Sequence, residues 1–112
     1  MSIGTKRRRG CCDPVPPALP QDRAERLGAV FKAVGDATRV QMLHMLLEAD
    51  DAICVCDFTQ AFGVSQPTVS HHLAKLRDAG LVDAQHRGIW TYYALRRDLP
   101  QEVRVMLETL RA

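Results

Sequence analysis

From Asp22 the apolar residues Leu27, Val30, Phe31 and Val34 recur at helical spacing, and Gly35 ends the run. Asp36 is placed to cap a second helix, with Val40, Leu43, Leu46 and Leu47 on one face until Asp50-Asp51 breaks the pattern. A short third helix is predicted from about Val55 to Phe62, closed by Gly63. Ser65 caps a fourth that runs to Ala79 and stops at Gly80, with Val69, Leu73 and Leu76 as its apolar face. The period then changes. Leu81 to Gln85 and Ile89 to Leu95 are β-branched or aromatic stretches around the turn dipeptide Arg87-Gly88, which predicts a β-hairpin. The last helix covers Leu99 to Leu110, with Pro100 in its first turn and Leu99, Val103, Met106, Leu107 and Leu110 as an apolar stripe.

A short helix, a tight turn with Gly63 and a second helix make a helix-turn-helix, and the hairpin that follows is a wing. The expected fold is mainly α with a small β-hairpin, a winged helix-turn-helix. Strong apolar stripes on the first and last helices suit a homodimer built through both. With 112 residues the chain fits one small domain, for which a partner subunit is useful extra burial. Residues 1–20 are expected to be an arm, because four of the six prolines fall at 14, 16, 17 and 20. The domain is expected to occupy 21–112.

Net charge is only +2, but it is sorted along the chain. Lys6, Arg7, Arg8 and Arg9 make the arm basic. Residues 36–57 set Arg39 against Asp36, Glu48, Asp50, Asp51 and Asp57, net −4. Residues 65–97 set Lys75, Arg77, Arg87, Arg96 and Arg97 against Asp78 and Asp83, net +3. No apolar run approaches the ~18 residues of a membrane span. The basic start leads into Cys-Cys-Asp-Pro rather than an apolar segment, so a cytoplasmic protein is expected.

With Val69 at the centre of the buried face, a turn of about 100° per residue sends Thr68, Ser70, His71, Ala74 and Lys75 outward. Gln66, in the first turn, can reach a base edge, and Lys75 a phosphate. Arg87 at the wing, with Arg96 and Arg97, can reach flanking phosphates or the minor groove. Any surface helix has a polar face; the wing, the local positive charge and the basic arm together turn this one toward double-stranded DNA. His72 is expected nearer the core, packed and hydrogen-bonded, and His44 is structural. His86 is uncommitted. No phosphate-cradling glycine loop, nucleophile–base pattern or carboxylate pair points to an enzyme.

The four cysteines form two tight pairs, Cys11-Cys12 and Cys54-Val55-Cys56. In a reducing compartment they are not a disulfide framework, and neither pair has the spacing of a structural zinc site. In extended chain Cys54 and Cys56 point to one side, whereas a continuous helix would set them about 200° apart. The third helix should therefore start at this pair, with its dipole lowering the thiol pKa. A three-sulfur pyramid of Cys54, Cys56 and one of Cys11 or Cys12 suits As(III) or Sb(III). Cd(II) or Pb(II) would take three or four sulfurs. A thiol-redox switch using the same cysteines is the other reading.

Three stretches carry a resemblance: Phe31 to Leu43, then Ile53-Cys-Val-Cys-Asp57, then Ser65-Gln-Pro-Thr-Val-Ser-His-His72 continuing to Val82. Together and in this order they resemble the ArsR/SmtB family of metal- and metalloid-responsive winged-helix repressors, over about residues 22–110. The resemblance implies a homodimer that binds a palindromic operator when free of ligand and leaves it when the inducer binds. It maps DNA contacts onto Gln66, Thr68, Ser70, His71 and the wing residue Arg87. Arsenic-sensing members of one subgroup have a third cysteine three residues after the box, where this chain has Thr59. Cys11 and Cys12 resemble the N-terminal cysteines that other members donate across the dimer. Residues 99–112 contain no histidine, so the zinc site of the last helix is expected to be absent.

Overall fold

The computed structural model describes residues 14–111. The basic arm residues Lys6 to Arg9, both thiols of Cys11-Cys12 and Ala112 lie outside the described residues. Residues 14–20 have no regular structure, and helix α1 (Gln21–Val34) begins directly after Pro20. Its inner face carries Val30 and Ala33. Gly35 ends it, and one residue later Asp36 caps α2 (Ala37–Glu48) by accepting the Arg39 N–H at 3.1 Å. That hydrogen bond holds the Asp36 carboxyl below the ordinary carboxylate range. In α2 the buried set is Met42, Leu43, Leu46 and Leu47. Val40 is only half-buried, and Met42, outside the predicted face, is fully covered.

The chain then makes a short strand that periodicity did not reveal, β1 (Ile53–Cys54), before α3 (Val55–Phe62). Two residues are too few to show an alternating pattern, so only pairing identifies them. Gly63 closes α3 at φ 63°, the left-handed cap for which glycine is the favoured residue. Helix α4 (Gln66–Asp78) starts at Ser65, whose hydroxyl accepts the Thr68 N–H, and has Pro67 in its first turn. As expected, Val69, Leu73 and Leu76 are its buried face.

The hairpin consists of β2 (Val82–Arg87) and β3 (Trp90–Leu95), with Gly88-Ile89 as the turn. The strands thus reach further than Gln85, and Ile89 belongs to the turn rather than to a strand. β3 is the middle strand of the antiparallel order β1-β3-β2. It pairs Ile53 with Tyr93 and Cys54 with Tyr92 on one side, and Val82 with Leu95 on the other.

Helix α5 (Gln101–Glu108) is shorter than its apolar stripe, because Pro100 sits at the cap, one residue before the helix, and Thr109-Leu110 turn away. Arg23 of α1 donates to Glu102 of α5 at 2.7 and 3.0 Å, which holds the Glu102 carboxyl below its usual range. His44 is structural as expected: Nδ1–H donates to the Leu110 carbonyl at 2.6 Å and ties α2 to the chain end. No helix among the described residues is long and apolar enough to cross a membrane.

Phe58 of α3 sits at the centre of the core with Met42, Leu43, Leu73 and Leu76, all fully buried. With buried Val55 it anchors α3 in the domain. Phe58→Ala should destabilise the fold by about 3–5 kcal/mol. Urea unfolding checks this, and a loss under about 1 kcal/mol would contradict the central place of Phe58.

Candidate functional site

Pairing with β3 keeps Cys54 extended, and the next residue is already helical. Cys54 is consequently the N-cap of α3, at φ −69° and ψ 145°, and its Sγ accepts the Cys56 N–H at 3.4 Å. The two side chains converge: the Cys56 thiol lies 2.6 Å from Cys54 Sγ and donates to it. The expectation that α3 starts at this pair holds, and so does its consequence, that both sulfurs face one direction.

The two thiols are not equivalent. Cys54 is buried, 3% exposed, while Cys56 is open to solvent. The expected lowering of the thiol pKa by the helix dipole is not found at Cys56. Donation to Cys54 pushes the Cys56 thiol up, helped by burial and by negative charge at Cys54 and Asp57. Negative charge beside a thiol opposes its ionisation, and the dipole of a helix of eight residues does not offset that at Cys56.

Both cysteines line a cleft of about 330 Å³ between α3, α4 and the wing. Gln66 and Ser70 of α4 line the same cleft, as do Arg77, His86 and Trp90. Sequence reasoning identified Gln66 and Ser70 as outward-facing, but not that they share a wall with the thiols. Arg77 and Trp90 were missed, because the wing folds back over α3 only once β1 joins the sheet.

Gln66, Thr68, His71 and Lys75 are exposed on α4 and Ser70 is half-buried. The N-terminal hydroxyls of α4 are organised, with Ser65 and Thr68 oxygens 3.0 Å apart. Arg87 has its guanidinium stacked over Tyr92 at 4.5 Å and hydrogen-bonded to Gln85 and Asp51 at 3.1 and 3.4 Å. It lies along the flank of the wing. Thr59, where a third cysteine would stand, turns its hydroxyl back to the Val55 carbonyl at 3.0 Å. Among the described residues no group of three or more His, Cys, Asp or Glu is placed to hold a metal ion, so the described thiols offer two donors.

His72 is packed, as expected, but its Nδ1 is not hydrogen-bonded. It stands 3.8 Å from Asp36 Oδ1, beyond hydrogen-bonding range, and the neighbouring Arg39 Nε likewise makes no hydrogen bond, with Asp36 Oδ1 at 3.9 Å. His86, left open by the sequence, faces the cleft with Thr91 Oγ1 at 3.4 Å.

Comparison with known proteins places these features in context. Residues 36–84 match the family described as "Bacterial regulatory protein, arsR family". The "Arsenic resistance transcriptional regulator ArsR1" of Pseudomonas putida is 43% identical over 79 residues, 70% of this chain and 61% of that protein. The "Putative arsenical resistance operon repressor ArsR2" of Halobacterium salinarum is 39% identical over 100 residues, 89% of this chain and 80% of its own length. Among solved structures, "HlyU from Vibrio cholerae N16961" superposes with a TM-score of 0.69 at 31% identity, covering 81% of this chain and 94% of that one. A homodimeric winged helix-turn-helix DNA-binding domain from Mycobacterium bovis has the same fold, with a TM-score of 0.65 at 24% identity and 86% of each chain covered.

The unequal thiols have a measurable consequence. In a variant with serine at positions 11 and 12, Cys56 labelling by a thiol-reactive probe should rise with a midpoint above that of an ordinary thiol. Cys54→Ala removes the acceptor and the neighbouring charge, and should bring that midpoint down. Mass spectrometry across a pH series reads both, and an unmoved midpoint would show that Cys54 does not hold the Cys56 proton.

Proposed function

The chain belongs to the arsR family of bacterial regulatory proteins, and from that premise we propose that it is a metalloid-responsive transcriptional repressor. It binds operator DNA as a ligand-free homodimer in the cytoplasm and leaves the DNA when As(III) or Sb(III) is captured by cysteine thiolates. It acts by binding alone, without catalysis. The observation that supports this reading is the shared cleft: Cys54 and Cys56 converge in the same cavity that Gln66 and Ser70 line. An ion gripped there disturbs the helix that reads DNA at its own base.

Gln66, Thr68, Ser70 and His71 are assigned to base edges and nearby phosphates, and Lys75 and Arg87 to the backbone. In a dimer the two α4 helices enter successive major grooves on one face of the duplex. A soft ion prefers an all-sulfur site. Cys54 and Cys56 supply two donors, and Cys11 or Cys12, in the N-terminal segment, supplies the third. With both, the site takes Cd(II) or Pb(II), the alternative inducers. The linkage is reciprocal, and a coupling of about 1–3 kcal/mol lowers operator affinity roughly 5–150-fold.

The convergence of the two free thiols supports a second reading, a thiol-redox repressor. Peroxide would take two electrons from the pair, joining the sulfurs and leaving as two waters. One experiment separates the two. Reduced protein on operator DNA is titrated anaerobically with arsenite, antimonite, Cd(II), Pb(II) and Zn(II), while anisotropy and sulfur-to-metal absorbance are followed. Release by arsenite or antimonite, with Cys54→Ser and Cys56→Ser repressing but no longer responding, is the expected result. Release by peroxide and by no ion would give the redox reading instead.

Phe31 of α1 and Val105 of α5 are 59% and 58% exposed, large apolar side chains on the two helices assigned to the dimer. Phe31→Glu with Val105→Glu should leave the domain folded but monomeric by sedimentation, with operator binding lost. A double variant that still sediments as a dimer would remove α1 and α5 from the interface.

A further inference from the structure

The wing ends in a side-chain pair that the fold does not require. Its turn is Gly88-Ile89, between the paired residues Arg87 and Trp90. Gly88 takes φ 65°, which frees the chain to reverse, whereas Ile89 has no positive φ. Turn positions ordinarily carry Gly, Asn, Asp or Ser, whose side chains are at ease in water. Here a β-branched aliphatic, 90% exposed, stands next to a tryptophan that is 51% exposed. Ile89 gains little packing within the chain, and with the exposed half of Trp90 it makes an apolar point at the end of a two-stranded ribbon.

We propose that Ile89 and Trp90 form a wedge that enters the DNA minor groove beside the major groove occupied by α4, presses between base pairs and bends the duplex. The inference rests on the repressor reading and extends it to how the operator is shaped. Continuity with α4 selects DNA as the occupant. Ile89 and Trp90 wall the same cleft as Gln66 and Ser70, so a duplex lying on α4 meets the wing next. Charge agrees: Arg87 directly precedes the turn, in a segment of net positive charge. Arg87 is drawn back along the flank by Asp51 and Tyr92, which leaves the point itself apolar. A two-residue turn is narrow enough for a groove about 6 Å wide, and minor-groove proteins use Ile, Leu and Phe to unstack a step. Such a wedge favours steps that unstack cheaply, pyrimidine–purine over rigid A-tracts.

Trp90 is the only tryptophan in the chain, so its emission reports on the wing alone. The test uses the full-length reduced protein and a duplex it selects from a randomised pool, labelled at both ends for energy transfer. Trp90 emission should fall as the duplex saturates, and the ends should draw together. Ile89→Ser should bind on the order of tenfold more weakly and bend less. Ile89→Leu should keep both properties. Replacing a pyrimidine–purine step under the wing with an A-tract should weaken the parent protein and leave Ile89→Ser nearly unchanged. Because Ile89 is almost wholly exposed, these variants keep the fold, which thermal unfolding verifies.

Native affinity and bend in Ile89→Ser, or Trp90 emission untouched by saturating duplex, would overturn the wedge. Quenching by arsenite but not by duplex would overturn it too, and make Trp90 a wall of the ion site. If no duplex is selected at all, the repressor reading itself fails, and the wedge with it.

Discussion

At Cys54 the backbone must be strand on one side and helix on the other, and much of the functional geometry depends on that change. The pairing of Ile53 and Cys54 with Tyr93 and Tyr92 holds the chain extended up to Cys54. Val55 is buried and already helical. With no residue spared for a loop, Cys54 must itself cap the helix, and its sulfur takes the place of the usual serine or aspartate oxygen. One more residue of helix ahead of Cys54 would swing the two sulfurs to opposite sides. The same junction sets the direction of α3, whose Phe58 is buried with Leu73 and Leu76 of α4 in one core.

In the proposed reading, sensing and DNA reading lie close together. Thiols and reading face share one cavity, so coupling does not need a chain of intermediates across the domain. The asymmetry of the pair suits capture. Buried Cys54 is fixed by the sheet and the cap, while exposed Cys56 meets the solvent first. On the proposed reading, a soft cation taken up by Cys56 displaces its firmly held proton, so binding competes with acid.

On the opposite side of α4, His72 stands near the cap of α2. Asp36 accepts the Arg39 N–H and faces both His72 Nδ1 and Arg39 Nε, at 3.8 and 3.9 Å. Apolar packing through Val69, Leu73 and Leu76 seats α4, and this polar group adds only charge attraction across 3.8–3.9 Å. The outer face of α4, with Gln66, Thr68, His71 and Lys75, stays exposed.

Helix positions followed from local rules. Asp36, Gly63, Ser65 and Gly80 mark their boundaries by chemistry that acts within a few residues, and the period of Val69, Leu73 and Leu76 turned Thr68, His71 and Lys75 to the outside. The need for α3 to begin at the cysteines was legible in the same way, since continuous helix through both would drive residues two apart to opposite sides. What the chain alone left open depends on partners distant in sequence. Strand β1 exists because Tyr92 and Tyr93 pair with it, forty residues away, and no two-residue segment announces such a match. Fold alone brings Gln66, Trp90 and Arg77 around the thiols, draws Arg87 back onto Tyr92, and leaves Ile89 at the apex of the wing. Sequence by itself determined the order of elements, the sorting of charge and the kinds of atoms available for chemistry. Tertiary structure decided which of those atoms share a cavity, because long-range pairing and core packing, rather than local propensity, set the distances between them.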